Sequence, residues 1–156
     1  MNGPTPHRIV EPGLDVVLAV RAEVLRRGTP SSDPRYARDE EPDTLHLAIE
    51  VAGRVVGVST WMPETFPARP DALAVRLRGM AVRDTHRGMG WGAILLAAGL
   101  ERAAASGAAI AWAAARDGAM PFYEGLGWRV EGEGFLDEVT GLGHHHMWVA
   151  IAPLTP

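Results

Sequence analysis

At 156 residues the chain has room for one domain, residues 1–156, which can bury roughly 68–70% of its unfolded surface and needs no staples to fold. It has no cysteine, which excludes a disulfide framework and a thiol nucleophile, and its net charge of −4 argues against non-specific nucleic-acid binding, which needs a basic face. No apolar stretch approaches the roughly 20 residues that span a bilayer, so a soluble, cytoplasmic protein with no membrane partner is expected. Every basic side chain apart from histidine is arginine, so the protein has no lysine of its own to acylate.

In chain order, His7 to Val10 reads as a short strand. Pro12 to Arg27 carries Leu14, Val17, Leu18 and Leu25 at helical spacing, with Arg21, Arg26 and Arg27 expected to face outward and Gly28 to end the helix. Residues 28–43 are rich in Pro, Ser, Asp and Arg without periodicity, a long loop of the kind that is functional or disordered. Leu45, Leu47, Ile49 and Val51 alternate with more polar neighbours as in a strand, Ala52-Gly53 signals a hairpin, and Arg54 to Met62 returns. Pro63, Pro67 and Pro70 mark a loop. Ala74 to Val82 is a third long strand, with a bulge or close backbone approach expected at Gly79.

Arg87-Gly88-Met89-Gly90-Trp91-Gly92 follows, and then an alanine-leucine helix over Ala93–Ala105. A strand that ends in a glycine loop and opens into a helix makes an anion site, because the first helical N–H groups lack intrahelical partners and the helix dipole adds partial positive charge. Ala108 to Ala114 suits a buried parallel strand after a right-handed crossover. Asp117 to Leu126 reads as a short helix with Asp117 near its N-cap, and Trp128–Glu133 and His145–Ile151 as closing strands. The order β-α-β-β-β-α-β-α-β-β predicts a mixed α/β sheet with antiparallel hairpins in the first half and one parallel crossover.

Gly88-Met89-Gly90-Trp91-Gly92-Ala93 also satisfies the dinucleotide fingerprint G-x-G-x-x-G/A. That fingerprint belongs at the first turn of a repeated βαβ unit, whereas here it follows a hairpin, and Asp117 lies beyond the roughly 20-residue spacing of the ribose-binding acid. A P-loop is excluded, since no Gly-Lys-Ser/Thr follows.

Arg87-x-x-Gly90-x-Gly92, behind the strand Leu77 to Val82, resembles the acetyl-coenzyme A signature of the GNAT (GCN5-related) N-acetyltransferases. Phe122-Tyr123-Glu124-Gly125-Leu126-Gly127-Trp128 resembles the second signature of that superfamily, with Trp128 in place of the usual Phe. Ala115-Arg116 through Tyr123, Glu133-x-Phe135-x-Asp137 and Gly141-x-x-His144 are similar to the ElaA-type branch, which commonly has Gly-Ile-Pro-His where this chain has Gly141-Leu142-Gly143-His144.

The resemblance implies the GNAT acyl-coenzyme A fold, a central six- to seven-stranded mixed sheet flanked by helices, in which two parallel strands splay apart around the pantetheine arm of acetyl-coenzyme A. It implies that Met80, Ala81 and Val82 bind that arm through their backbone, that Arg87, Gly88, Met89, Gly90, Trp91 and Gly92 hold the diphosphate, and that Arg116 also contacts the cofactor. The implied reaction is direct attack by an amine of a small molecule or protein on the thioester. Tyr123, protonated at neutral pH, is the expected proton donor to the thiolate, and Glu133 or His144 the expected base; His46 and Glu50 are further acids and bases that could reach a cleft. Trp91 would cover the adenine or flank the cleft. Relatives often dimerise through late strands. A non-catalytic acyl-coenzyme A-binding module shares the glycine loop but does not need Tyr123. His144-His145-His146 puts two imidazoles on one face, but no third ligand is evident, so no metal is expected. Residues 28–43, 63–73 and 134–144 are expected to shape the acceptor site.

Overall fold

The computed structural model describes residues 5–151. It contains β1 (His7–Val10), α1 (Leu14–Leu25), β2 (Leu45–Val51), β3 (Arg54–Pro63), β4 (Ala74–Val82), α2 (Trp91–Ala105), β5 (Ile110–Arg116), α3 (Met120–Gly125), β6 (Arg129–Leu136) and β7 (Gly143–Ala150). The strands form one seven-stranded sheet in the order β1-β2-β3-β4-β5-β7-β6. Only β4 and β5 run parallel; the other five pairings are antiparallel. None of the described helices is long and apolar enough to cross a membrane.

Alternation sorts the strand side chains onto two faces. Leu47, Ile49, Trp61, Val75 and Leu77 bury against Leu95, Leu96 and Ala103 of α2 on one face. Ala48, Val58 and Ala81 bury against Val17 and Val20 of α1 on the other. Gly99 lets α2 lie close to the sheet: a Cβ there would sit 1.9 Å from the Trp61 indole.

β4 changes face partway along. Arg78 pairs with Thr60 and Ala81 with Val58, so two residues of β4, Gly79 and Met80, stand opposite the single Ser59. Gly79 has φ +62°, and a Cβ there would meet Arg21 Nε at 2.7 Å and the Tyr36 ring at 3.1 Å. This is the expected bulge, and it requires glycine for both backbone and space. Leu77 therefore faces α2 while Arg78 and Ala81 both face α1.

Several boundaries differ from the sequence reading. The fifth strand begins at Ile110 because the amide of Ala108 still bonds to Ala103 in the turn that closes α2. Asp117 does not cap a helix; it opens a short 3-10 turn, and its carboxylate accepts from His145 Nδ1 at 2.7 Å. The sixth strand runs on to Leu136 through a register shift after Glu131, and the seventh starts at Gly143.

Arg21 is the main correction. It does not face outward but is completely buried, donating to Asp39 at 2.8 and 2.9 Å, to Thr60 Oγ1 at 2.6 Å and to the Pro34 carbonyl at 3.1 Å. The residues 28–43 that looked aperiodic are thereby folded onto α1 and the sheet.

Candidate active site

The parallel pair separates where the bulge begins. β4 and β5 pair from Ala74/Ile110 to Leu77/Ala113 and no further, although β5 stays paired with β7 as far as Arg116/His144. Beyond Leu77 the outer edge of β4 therefore has no strand beside it. A cleft of about 1110 Å³ fills the gap.

At one end lies the glycine loop. Gly88 and Gly90 have φ +74° and +88°, and Gly90 is the N-cap of the fifteen-residue α2, whose side chains supply no cap bond. The first-turn amides thus face the cleft mouth without a side-chain acceptor, as an anion site requires. Arg87 is held by Asp84 at 3.1 Å and donates from Nε to the Val82 carbonyl at 3.3 Å; Asp84 in turn takes Arg27, just past the end of α1, at 2.7 Å.

The same cleft is lined by Tyr123, 5% exposed, its ring 5.0 Å from that of Trp128 and 5.2 Å from that of Phe122. Burial, and secondarily Tyr36, pushes its phenol well above the ordinary tyrosine range, so it remains a proton donor at neutral pH. His144, 6% exposed, lies opposite Arg116 in the β5/β7 ladder and lines the cleft. Its Nδ1 is 2.9 Å from the Leu142 carbonyl. A carbonyl can only accept, so Nδ1 carries the proton and Nε2 of the neutral ring keeps its lone pair.

Of the residues singled out from sequence, Met80, Ala81, Val82, Arg87, Gly88, Gly90, Trp91, Gly92, Arg116, Tyr123 and His144 all line this one cleft. Met89 and Glu133 do not: Met89 points to solvent at 61% exposure, and Glu133 is exposed on the irregular stretch of β6. The Trp91 ring packs 5.3 Å from the His7 ring and against the core on the α2 face. His46 and Glu50 also lie outside the cleft. Glu50 pairs with Arg8, and His46 bonds to Thr60 Oγ1 at 2.8 Å and to the Asp39 carbonyl at 2.9 Å. His145 is engaged by Asp117, and His146 sits edge-on to Trp112 at 5.6 Å. Among the described residues no three His, Cys, Asp or Glu side chains gather as metal ligands.

Two of the three loops expected to shape the acceptor site reach the cleft: Tyr36 from residues 28–43, and Asp137, Val139, Thr140 and Leu142 from residues 134–144. Residues 63–73 do not; they pack at the opposite end of the sheet, where the Glu64 carbonyl accepts from Trp112 Nε1 at 2.9 Å. Tyr36 was missed from sequence. Its only signal is that it is one of two tyrosines, set in an arginine-rich loop.

Comparison with known proteins fits this geometry. Residues 18–128 match the acetyltransferase (GNAT) family. An uncharacterized N-acetyltransferase of Bacillus subtilis (strain 168), YitI, is 29% identical over 126 residues, 81% of this chain and 83% of that protein. The structure of an aminoglycoside 6'-N-acetyltransferase complexed with coenzyme A has the same fold, with a TM-score of 0.71 and 15% identity over 96% of this chain and 99% of that one. Escherichia coli ElaA superposes with a TM-score of 0.68 and 17% identity, over 93% of this chain and 99% of its own.

Proposed function

The chain belongs to the acetyltransferase (GNAT) family, and from that membership together with the cleft we propose that it transfers the acetyl group of acetyl-coenzyme A to a primary amine of a small molecule or a protein. The observation that carries this reading is the gap between β4 and β5, which is lined by both a glycine-capped helix terminus and a buried phenol. The relative with coenzyme A bound shares the fold and supports the same use of the cleft here.

The unpaired edge of β4 at Met80 to Val82 offers main-chain groups to an extended arm, much as an added strand would use them. The loop from Arg87 to Gly92 takes the diphosphate on its amides, with Arg87 pre-positioned by Asp84. The cosubstrate supplies a thioester: the acceptor nitrogen bonds to its carbonyl carbon, the C–S bond breaks, and the sulfur leaves with the electron pair. Tyr123 gives its proton to that sulfur. His144 takes the proton released by the amine at Nε2, the nitrogen its bond to Leu142 leaves free. Glu133, outside the cleft, is the poorer candidate for that proton.

The test is calorimetric titration with acetyl-coenzyme A followed by thiol release over a panel of amines. The chain has no cysteine, so a thiol-reactive dye reports only product. Saturable binding with amine-dependent thiol release is expected. Binding with no release from any amine would instead make the protein an acyl-coenzyme A-binding module.

A further inference from the structure

Charge is distributed unevenly between the cleft and the rest of the molecule. Ten of the fifteen arginines pair with a carboxylate. Of the five that pair with none among the described residues, Arg54 and Arg129 are exposed on the surface, and the other three, Arg26, Arg78 and Arg116, all line the cleft. The Arg78 side chain makes no hydrogen bond among the described residues; its guanidinium lies over the Tyr36 ring, 4.1 Å from the centroid. Arg26 flanks the same ring at 5.8 Å and donates from Nε to the Asp33 carbonyl at 2.8 Å. Arg116 donates to the Leu25 carbonyl at the end of α1.

Arg78, on which the inference chiefly rests, stands apart from the expected diphosphate site. Arg78 precedes the bulge and faces α1, whereas the glycine loop lies past the far end of β4. Tyr36, the ring between Arg78 and Arg26, lines the same cleft as Tyr123 and Arg116. The nearby carboxylates are committed. Glu64 holds Arg76 at 2.8 Å and Arg38 at 3.5 Å. Asp137 lines the cleft, but its Oδ1 accepts from the amides of Val139 and Thr140 and from the Thr140 hydroxyl at 2.9, 2.8 and 3.2 Å. Burial first, and then like-charged neighbours, work against the cation at both Arg78 and Arg116, and the more distant carboxylates of Glu64 and Asp137 offset only part of this. Guanidinium stays charged regardless, and half-buried cations without counter-ions are costly to keep. An anion supplied from outside would relieve that cost, and the forked donors suit a carboxylate or phosphate.

We propose that the acceptor is an amine carrying its own carboxylate or phosphate, which Arg78, Arg26 and Arg116 grip while the amine reaches the thioester beside Tyr123. This rests on the acetyltransferase reading above and narrows its substrate class. The net charge of −4 would suggest a cationic amine, but long-range charge governs encounter, and the fit is decided by the groups lining the cleft.

Thiol release at saturating acetyl-coenzyme A tests it with matched pairs: glycine and glycinamide, β-alanine and β-alaninamide, phosphoethanolamine and ethanolamine, with spermidine as a polycation. The acid-bearing member of at least one pair should be preferred a hundredfold or more in kcat/KM, and which pair responds separates carboxylate from phosphate. R78Q should cut that preference at least tenfold, chiefly through KM, with the Kd for acetyl-coenzyme A within twofold of wild type. R26Q repeats the test should R78Q fail to fold. Faster turnover of the neutral amines or spermidine would overturn the inference and leave the acetyltransferase reading standing. So would an R78Q variant that weakens acetyl-coenzyme A instead of the acceptor. No thiol release from any amine would overturn both.

Discussion

Arg21 on α1 and Asp39 in the following loop form a two-pronged ion pair, Nη1 to Oδ2 at 2.8 Å and Nη2 to Oδ1 at 2.9 Å, with the guanidinium sealed from solvent. Oδ2 also accepts the Tyr36 amide at 2.8 Å, so the pair fixes the ring on which Arg78 lies. Thr60 links the network onward: its hydroxyl takes Arg21 and reaches His46, whose Nε2 donates to the Asp39 carbonyl. A loop with little apolar surface is thereby held against the sheet and becomes a wall of the cleft.

Breaking this pair from the acid side strands a buried cation. Asp39→Asn should cost about 3–5 kcal/mol at pH 7, read from urea melts. Burial disfavours the Asp39 charge, but Arg21 and the Tyr36 amide outweigh it and hold its pKa below the usual carboxylate range. A depressed carboxylate stabilises above its unfolded pKa, about 3.9, and loses that contribution as pH falls through the folded value. The difference between wild type and variant should therefore begin to narrow below about pH 4 and close only below the folded value. Equal stability at neutral pH would show the pair to be dispensable.

The bulge at Gly79 should resist substitution for two reasons. Alanine at φ +62° carries a left-handed penalty of about 1–2 kcal/mol. Its Cβ would also press on Arg21 Nε. Gly79→Ala is expected to lower the melting temperature and weaken acetyl-coenzyme A at least tenfold by calorimetry, because the bulge sets where β4 leaves β5. Wild-type affinity in this variant would detach cofactor binding from the bulge.

Tyr123→Phe removes one hydroxyl and leaves the packing against Trp128 and Phe122 in place. Turnover should fall at least tenfold while cofactor affinity changes little. Unchanged kcat in steady-state assays would make Tyr123 a packing residue.

Gly99→Ala opposes two known effects. Alanine favours helix by about 1 kcal/mol over glycine in an exposed interior. Here the new methyl would sit 1.9 Å from a Trp61 indole that is itself bonded to Ser59 Oγ at 2.9 Å. Overpacking costs of about 1–3 kcal/mol should win, giving a lower melting temperature by calorimetry. A stabilised variant would mean that α2 can shift away from the sheet without loss.

Local pattern made much of this protein readable in advance. Alternation over Leu45–Val51 and the glycines after Val82 report backbone geometry, which neighbouring residues largely dictate. Arg21 misled because an arginine on an amphipathic helix ordinarily faces water; its burial depends on Asp39 and Thr60, which pair with it only through folding. The closing strands were harder to bound, since Glu131 to Phe135 breaks the period of two at a register shift.

The sequence by itself determined the succession of elements along the chain, the glycine-capped helix and the family, because each rests on residues close together in the chain. Only the tertiary structure decided that β4 and β5 part after Leu77, that Tyr123 and His144 share one cleft, and that unpaired arginines gather beside them. Those relations join residues from β4, β5, α3, β7 and the turn after α1, and whether a charge is paired or a strand edge open depends on neighbours that are distant in sequence.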